Sequence, residues 1–174
     1  MRLRNKLLCH VAWISITAVL AVTHAQTPGS RDRGPVELEA DSAEVDDASG
    51  RSVYKGDVVL TRGSLRITGD VMRAFVDAHR QLQRVVVEGV PATYRETLPD
   101  ASSRHAEAPR MEYFTSGPER LILLEGARLW QGDNTVTGET ITHYPAEDRT
   151  VAEGAGGGDG RVNVRVLPAP EGDQ

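Results

Sequence analysis

The chain has a single cysteine, Cys9, and it lies in an apolar run near the N-terminus. Beyond it there is no thiol for a disulfide, a thiolate metal site or a nucleophile. Aromatic residues make up only 5% of the sequence, so few large rings are available to fill an interior. Long hydrophobic runs are scarce too. The one present, "LLCHVAWISITAVLAV" at 7–22, falls short of the about 20 apolar residues of a spanning helix, and Cys9 and His10 interrupt its start. It follows Arg2, Arg4 and Lys6 and ends in "THA" at 23–25, the pattern of a secretory signal cut after Ala25. A retained membrane anchor is the competing reading. No Cys follows the run, so lipoprotein processing is not expected. Removing residues 1–25 takes away three basic residues and no acidic ones, moving the net charge from −5 to −8. That balance argues against a nucleic-acid binder, which would carry a basic stripe, and suits a soluble chain that avoids anionic surfaces.

Catalytic patterns are equally sparse. His79, His105 and His143 stand apart, without HxH or HExxH spacing, and are expected in solvent or loops. Asp46 and Asp47 are adjacent, and neighbours on a strand point to opposite faces, so "EVDDASG" reads as a hairpin turn rather than an acid–base pair. "GAGGGDG" at 154–160 lacks the GK[ST] of a phosphate loop and reads as a connector. No metal, cofactor or enzymatic activity is expected.

What the chain does have is alternation. "VELEA", "VYKGDVVL", "SLRITG", "RVVVEG", "MEYF", "LILLEGARLW", "NTVTG", "TITHY" and "RVNVRVL" carry apolar residues at every second position, the period of half-buried strands. Gly, Asp, Pro and Ser punctuate them. The ambiguous stretch "VMRAFVDAHRQLQRV" at 71–85 has a helical stripe at Val71, Ala74, Ala78 and Leu82. The strand reading is preferred: Met72, Ala74 and Val76 share a face, and a turn follows near "DAHRQ".

A repeat underlies the alternation. One marker, a small residue followed by alternating side chains, begins at Ala40, Gly69, Ala108 and Gly138; a second, a Gly after a β run, falls at Gly56, Gly89, Gly126 and Gly154. The markers alternate along the chain, as corners between stacked units of about 30 residues would. Such units share one core, which predicts an all-β, antiparallel, repeat-built β-jellyroll of roughly a dozen or more short strands. Its first and last strands, 36–40 and 161–167, would stay unpaired, exposing the edge that carries Val36 and Leu38 and the edge that carries Val162, Val164 and Val166. The expected layout is a signal over 1–25, a lead-in over 26–35, one domain over 36–167 and a tail over 168–174. The loop "ETLPDASSR" at 96–104 is expected to be exposed, and Pro109 to mark an edge or a bulge.

One face of each strand is apolar: Val36 and Leu38, Val58 and Leu60, Leu65 and Ile67, Val85 and Val87, Met111 and Tyr113, Leu121 and Leu123. These residues are either plain core or the lining of a roll open enough to hold an acyl chain. Low aromatic content and small residues on that face (Ala40, Ala43, Ala74, Ala127) favour the second reading. Of the 20 basic residues 18 are Arg, and Arg51, Arg62, Arg66, Arg73, Arg80, Arg84 and Arg95 crowd the first half with Lys55. They read as a solvated face in preference to a phosphate site.

"VELEAD" at 36–41, "YKGDVVLTRG" at 54–63, "LRITGD" at 65–70, "VEGVPATY" at 87–94 and "LWQGDNTVTGETITHY" at 129–144 occur in order after the signal. Together they make the chain resemble the OstA-like, or LptA, family of periplasmic lipopolysaccharide transport proteins of Gram-negative bacteria. The resemblance covers about residues 35–167. It implies a β-jellyroll without enzymatic activity that shields the lipid A acyl chains of lipopolysaccharide. Val58, Leu60, Leu65, Ile67, Met72, Tyr94, Met111, Tyr113, Leu121 and Leu123 would line the groove, with Val36 and Leu38 at its mouth. It also implies head-to-tail self-association through the edge strands, and matching contacts to an inner-membrane anchor protein and an outer-membrane assembly protein. A membrane-anchored partner of the same pathway, and a secreted β-repeat structural module with a solid interior, are the alternatives.

Overall fold

The computed structural model describes residues 34–156 and 160–167. The expected signal, most of the lead-in and the tail lie outside the described residues. All regular structure within them is strand. The elements are β1 (Glu37–Glu39), β2 (Ser42–Asp46), β3 (Arg51–Arg62), β4 (Leu65–Val76), β5 (Leu82–Thr97) and β6 (Ser103–Phe114), then β7 (Arg120–Leu124), β8 (Ala127–Gln131), β9 (Asn134–Gly138), β10 (Thr140–Tyr144), β11 (Arg149–Glu153) and β12 (Asn163–Arg165). The fold is the antiparallel β-jellyroll that the alternation predicts. The strand reading of 71–85 is correct: β4 runs to Val76, and a turn over 77–81 leads into β5. The Asp77 carboxylate closes that turn by accepting from the His79 and Gln81 amides at 2.8 and 2.9 Å.

Every strand pairing is antiparallel. The sheet runs β1-β3-β4-β5-β6-β7-β10-β11; β2 joins on β3, and β8, β9 and β12 branch from β6. It does not close. Four strands, β3 to β6, are longer than the short units read from the sequence, at 12 to 16 residues. They continue through the glycine corners instead of ending there. Register shifts between Lys55 and Val58, Thr68 and Val71, and Glu88 and Ala92 bend each strand while its pairing resumes beyond. Pro109, which cannot donate to a ladder, sits within the last of these shifts, in mid-sheet rather than at an edge.

The bends lie side by side. Gly56 accepts from the Asp41 amide at 3.1 Å, the Gly126 amide donates to Glu139 at 3.2 Å, and the Glu139 amide donates to Glu153 at 2.9 Å. The repeat markers therefore form one line across the sheet. Gly56 is required there twice over: its φ is +81°, and a Cβ would stand 2.1 Å from the Asp41 carboxylate.

On either side of this line the long strands change neighbours. The first half of β3 pairs with β2 and its second half with β1. The first half of β6 pairs with β8 and its second half with β7. Two layers result, joined along the bend. The first holds β2, 51–55, 71–76, 82–88, 110–114, β7, β10 and β11; the second holds β1, 58–62, 65–68, 92–97, 103–107, β8, β9 and β12. Because residues opposite each other in a ladder share a face, the inward rows can be followed across the sheet. In the first layer one row runs Tyr54, Met72, Val87, Met111, Leu123, Ile141. In the second, one runs Leu38, Leu60, Ile67, Tyr94, Ala106, Leu129, Val136, Val164. Both contribute to a single apolar cluster.

Candidate functional site: an apolar interior with a charged mouth

Ala92, Ala108 and Ala127, all buried, lie next to the bend together with Val58, Val87 and Met111. Leu, Ile, Met and Tyr side chains make up most of the rest of the cluster. Val58, Leu60, Leu65, Ile67, Met72, Met111, Leu121 and Leu123 are 0% exposed, and Tyr94 and Tyr113 are 1% exposed. Each such aliphatic stabilises the fold by about 1.5–3 kcal/mol relative to exposure. Val36 and Leu38 are half-buried beside this cluster. Ala43 faces inward opposite Tyr54 but is exposed, because β2 is the edge of its layer among the described residues. The interior is thus continuous but packed, and anything entering it has to part the layers.

The layers meet again at the mouth, the side away from the bend, and here the inward residues are polar. The outermost inward row of the second layer runs Arg62, Leu65, Glu96, Arg104, Gln131. Glu96 is 3% exposed and Arg104 6%. Across from them in the first layer stands His143, 1% exposed. The Tyr94 hydroxyl donates to Glu96 Oε2 at 2.7 Å, and the same oxygen lies 4.0 Å from Arg104 Nη1. Arg104 Nη1 donates to His143 Nε2 at 2.8 Å, and its Nη2 to Gln131 Oε1 at 3.1 Å and Asp148 Oδ1 at 2.5 Å. A guanidinium has no acceptor, so Nε2 carries the lone pair and His143 Nδ1 carries the hydrogen, which it gives to Thr150 Oγ1 at 3.0 Å. Burial, and next the Arg104 charge, push the His143 pKa down to about 4, so the ring is neutral at pH 7.

Arg104 therefore ties the second layer to the first through His143 and through the Asp148 turn. The sequence predicts an exposed loop over 96–104 and a His143 in solvent or a loop; the structure instead buries Glu96, Arg104 and His143, all on strands. The alternation did carry the signal. Two residues beyond inward Tyr94 is Glu96, and two before inward Ala106 is Arg104. Both strands continue one inward position farther than their apolar residues suggest.

The arginines of the outer face are largely partnered, as a solvated face would be. Arg51, Phe75, Arg84, Phe114 and Arg120 form one cross-strand row. Arg84 lies 4.5 Å over the Phe75 ring and Arg120 3.8 Å over Phe114. Arg73 pairs with Glu88 at 3.0 Å and Arg80 with Asp47 at 3.1 Å. His105 also faces outward, stacked on Trp130 with centroids 5.3 Å apart.

The two ends of the sheet complete the site. Among the described residues, β1 and β2 at the first end each pair only with β3. At the last, again among the described residues, β11 pairs only with β10 and β12 only with β9. Each end of the described sheet thus offers two free edges, one per layer, where the sequence suggested one. Val162 is half-buried, while Val164 and Val166 are 62% and 68% exposed.

An open, antiparallel roll of two layers around one apolar cluster places the chain in the class of unclosed β-jellyrolls. Comparison with known proteins narrows it. Residues 37–149 match the family model described as "LptA/(LptD N-terminal domain) LPS transport protein". The chain belongs to this family. It is 35% identical to the lipopolysaccharide export system protein LptH of Pseudomonas aeruginosa over 129 residues, covering 74% of this chain and 73% of that one. It is 24% identical to the lipopolysaccharide export system protein LptA of Escherichia coli strain K12, covering 85% of this chain and 80% of that one. The crystal structure of P. aeruginosa LptH, described as the LptA-homologous periplasmic component of a lipopolysaccharide transport device, superposes with a TM-score of 0.71 at 32% identity, covering 79% of this chain and 99% of that one.

Proposed function

We propose that this chain is a periplasmic carrier of lipopolysaccharide, sheltering the lipid A acyl chains between its two layers as part of a bridge from inner to outer membrane. The observation that carries the reading is the uninterrupted apolar interior, whose inward rows run from one exposed edge of an unclosed sheet to the other. Each methylene transferred into such an interior is worth about 0.8 kcal/mol. The membership in a family of transport proteins, and the periplasmic description of the similar structure, support the same reading. It involves no catalytic step. Val58, Leu60, Leu65, Ile67, Met72, Tyr94, Met111, Tyr113, Leu121 and Leu123 are the candidate contacts of the acyl chains, which enter where the layers part at the mouth.

The free edges serve assembly in this reading. β1 turns Leu38 inward and Glu37 and Glu39 outward; β12 turns Val164 inward and Asn163 and Arg165 outward. Pairing the last edge of one copy with the first edge of the next joins apolar to apolar inside and acidic to basic outside. The same edges would receive the inner-membrane anchor protein and the outer-membrane assembly protein of the system.

The test is binding of intact lipopolysaccharide against the same glycan stripped of its acyl chains, by titration calorimetry. The carrier reading expects saturable binding of the first and none of the second. Equal binding of both, or of neither by folded protein, rejects it in favour of a solid-cored structural module.

A further inference from the structure

The carrier reading leaves one part of the molecule unused. A packed apolar interior needs only apolar walls, yet the mouth row places two guanidinium groups, Arg62 and Arg104, with Glu96 between them. Arg104 is almost fully buried, and a buried charge is costly unless it is balanced. Glu96 already supplies a buried counter-charge at 4.0 Å. Asp148 adds a second carboxylate, at 2.5 Å from Arg104 Nη2, but of a different kind. Its side chain is 80% exposed, and it sits at φ +46° in the turn between β10 and β11. It reaches the guanidinium from the solvent side. Arg62, half-buried in the same row, has an Nε that is buried with no hydrogen-bond partner among the described residues. The mouth thus holds one guanidinium capped by a solvent-side carboxylate and another with an unused donor.

A phosphate or carboxylate attached to acyl chains that lay between the layers would emerge at this row. Guanidinium forks match such groups. Resting on the carrier reading, we propose that the mouth row is the headgroup site: Arg104, assisted by Arg62, binds an anionic group of the carried amphiphile, and the Asp148 carboxylate is an internal stand-in for that group, displaced on loading. The same displacement removes one of the two cross-layer ties that Arg104 makes, so loading loosens the mouth. The Arg104–His143 bond remains as the inner tie.

The test uses the mature chain and two amphiphiles of equal chain length below their micellar concentrations, dodecyl phosphate and dodecyl maltoside. Asp148→Asn removes the competing charge and is expected to tighten dodecyl phosphate by about tenfold, a change of 1.4 kcal/mol, with dodecyl maltoside unchanged. Arg62→Gln, at a half-buried position, is expected to weaken dodecyl phosphate alone, and Arg104→Gln to weaken it further where circular dichroism shows the fold intact. If wild type binds neither amphiphile nor lipopolysaccharide, the carrier reading itself fails. If wild type binds both amphiphiles and Asp148→Asn and Arg62→Gln leave the phosphate affinity unchanged, the carrier reading stands and the headgroup site is overturned. Displacement of dodecyl phosphate by equimolar inorganic phosphate would assign the row to free anions and also overturn it.

Discussion

At His143, burial and the neighbouring Arg104 charge act in the same direction. The folded ring has a pKa of about 4 against the ordinary 6.5. Below pH 6.5 the unfolded chain takes up a proton that the folded chain refuses until about pH 4. Stability is therefore lost as pH falls through that window, by about 3 kcal/mol in all from this group. His143→Gln, which keeps a side chain able to accept from Arg104, should show a shallower decline. Urea unfolding at pH 7 and pH 4.5 checks this, and parallel declines in wild type and variant would contradict it. The mouth residues also show what was readable at this scale. Ile67, Met72, Tyr94 and Met111 announced their inward direction because alternation and hydrophobicity agree there. Glu96, Arg104 and His143 obey the same alternation but are polar. Period alone would have turned them inward; their burial also needs partners distant in sequence, since Arg104 meets His143 and Asp148 at separations of 39 and 44 residues.

At the scale of elements, the glycine-marked corners were legible because each leaves a local imprint, a small residue where the backbone bends. The continuity of β3 to β6 through those corners was not. A bulge and a turn look alike in sequence, and only the pairing on the far side distinguishes them. The bend makes its own prediction. Gly56 and Gly117 both have positive φ, at +81° and +66°, but a Cβ on Gly117 meets nothing within 4 Å, whereas on Gly56 it collides with Asp41. Gly117→Ala should cost about 1–2 kcal/mol, the strain of a left-handed alanine. Gly56→Ala should cost more, because Asp41 and β2 have to move as well. Thermal unfolding of the two variants decides it, and equal losses would mean that the bend line tolerates displacement.

At the scale of the whole molecule, the absence of closure matters most. The repeat predicted free first and last strands; it did not reveal that each layer ends separately, since that follows from long-range partners of β3 and β6. If copies add end to end, removing 161–167 should leave the roll folded, because among the described strands β12 pairs only with β9, while oligomers become shorter. Outward Glu37 and Glu39 meeting Arg165 further predict that association weakens as salt rises from about 0.05 to 0.5 M. Sedimentation velocity reads both effects. An unchanged size distribution in either experiment would rule out edge pairing through β12.

Whether lipid occupies the interior is decided most directly by photo-crosslinking with matched probes. Val136 and Thr137 are neighbours on β9, both half-buried, but Val136 pairs with inward Leu129 and Thr137 with outward Arg128. Leu38 and Glu39 form a similar pair on β1, with Leu38 inward. A photoreactive side chain at each, followed by lipopolysaccharide and light, should yield lipid adducts at Val136 and Leu38 and none at Thr137 and Glu39. Adducts on the outward positions, or on all four alike, would mean that the acyl chains do not travel between the layers.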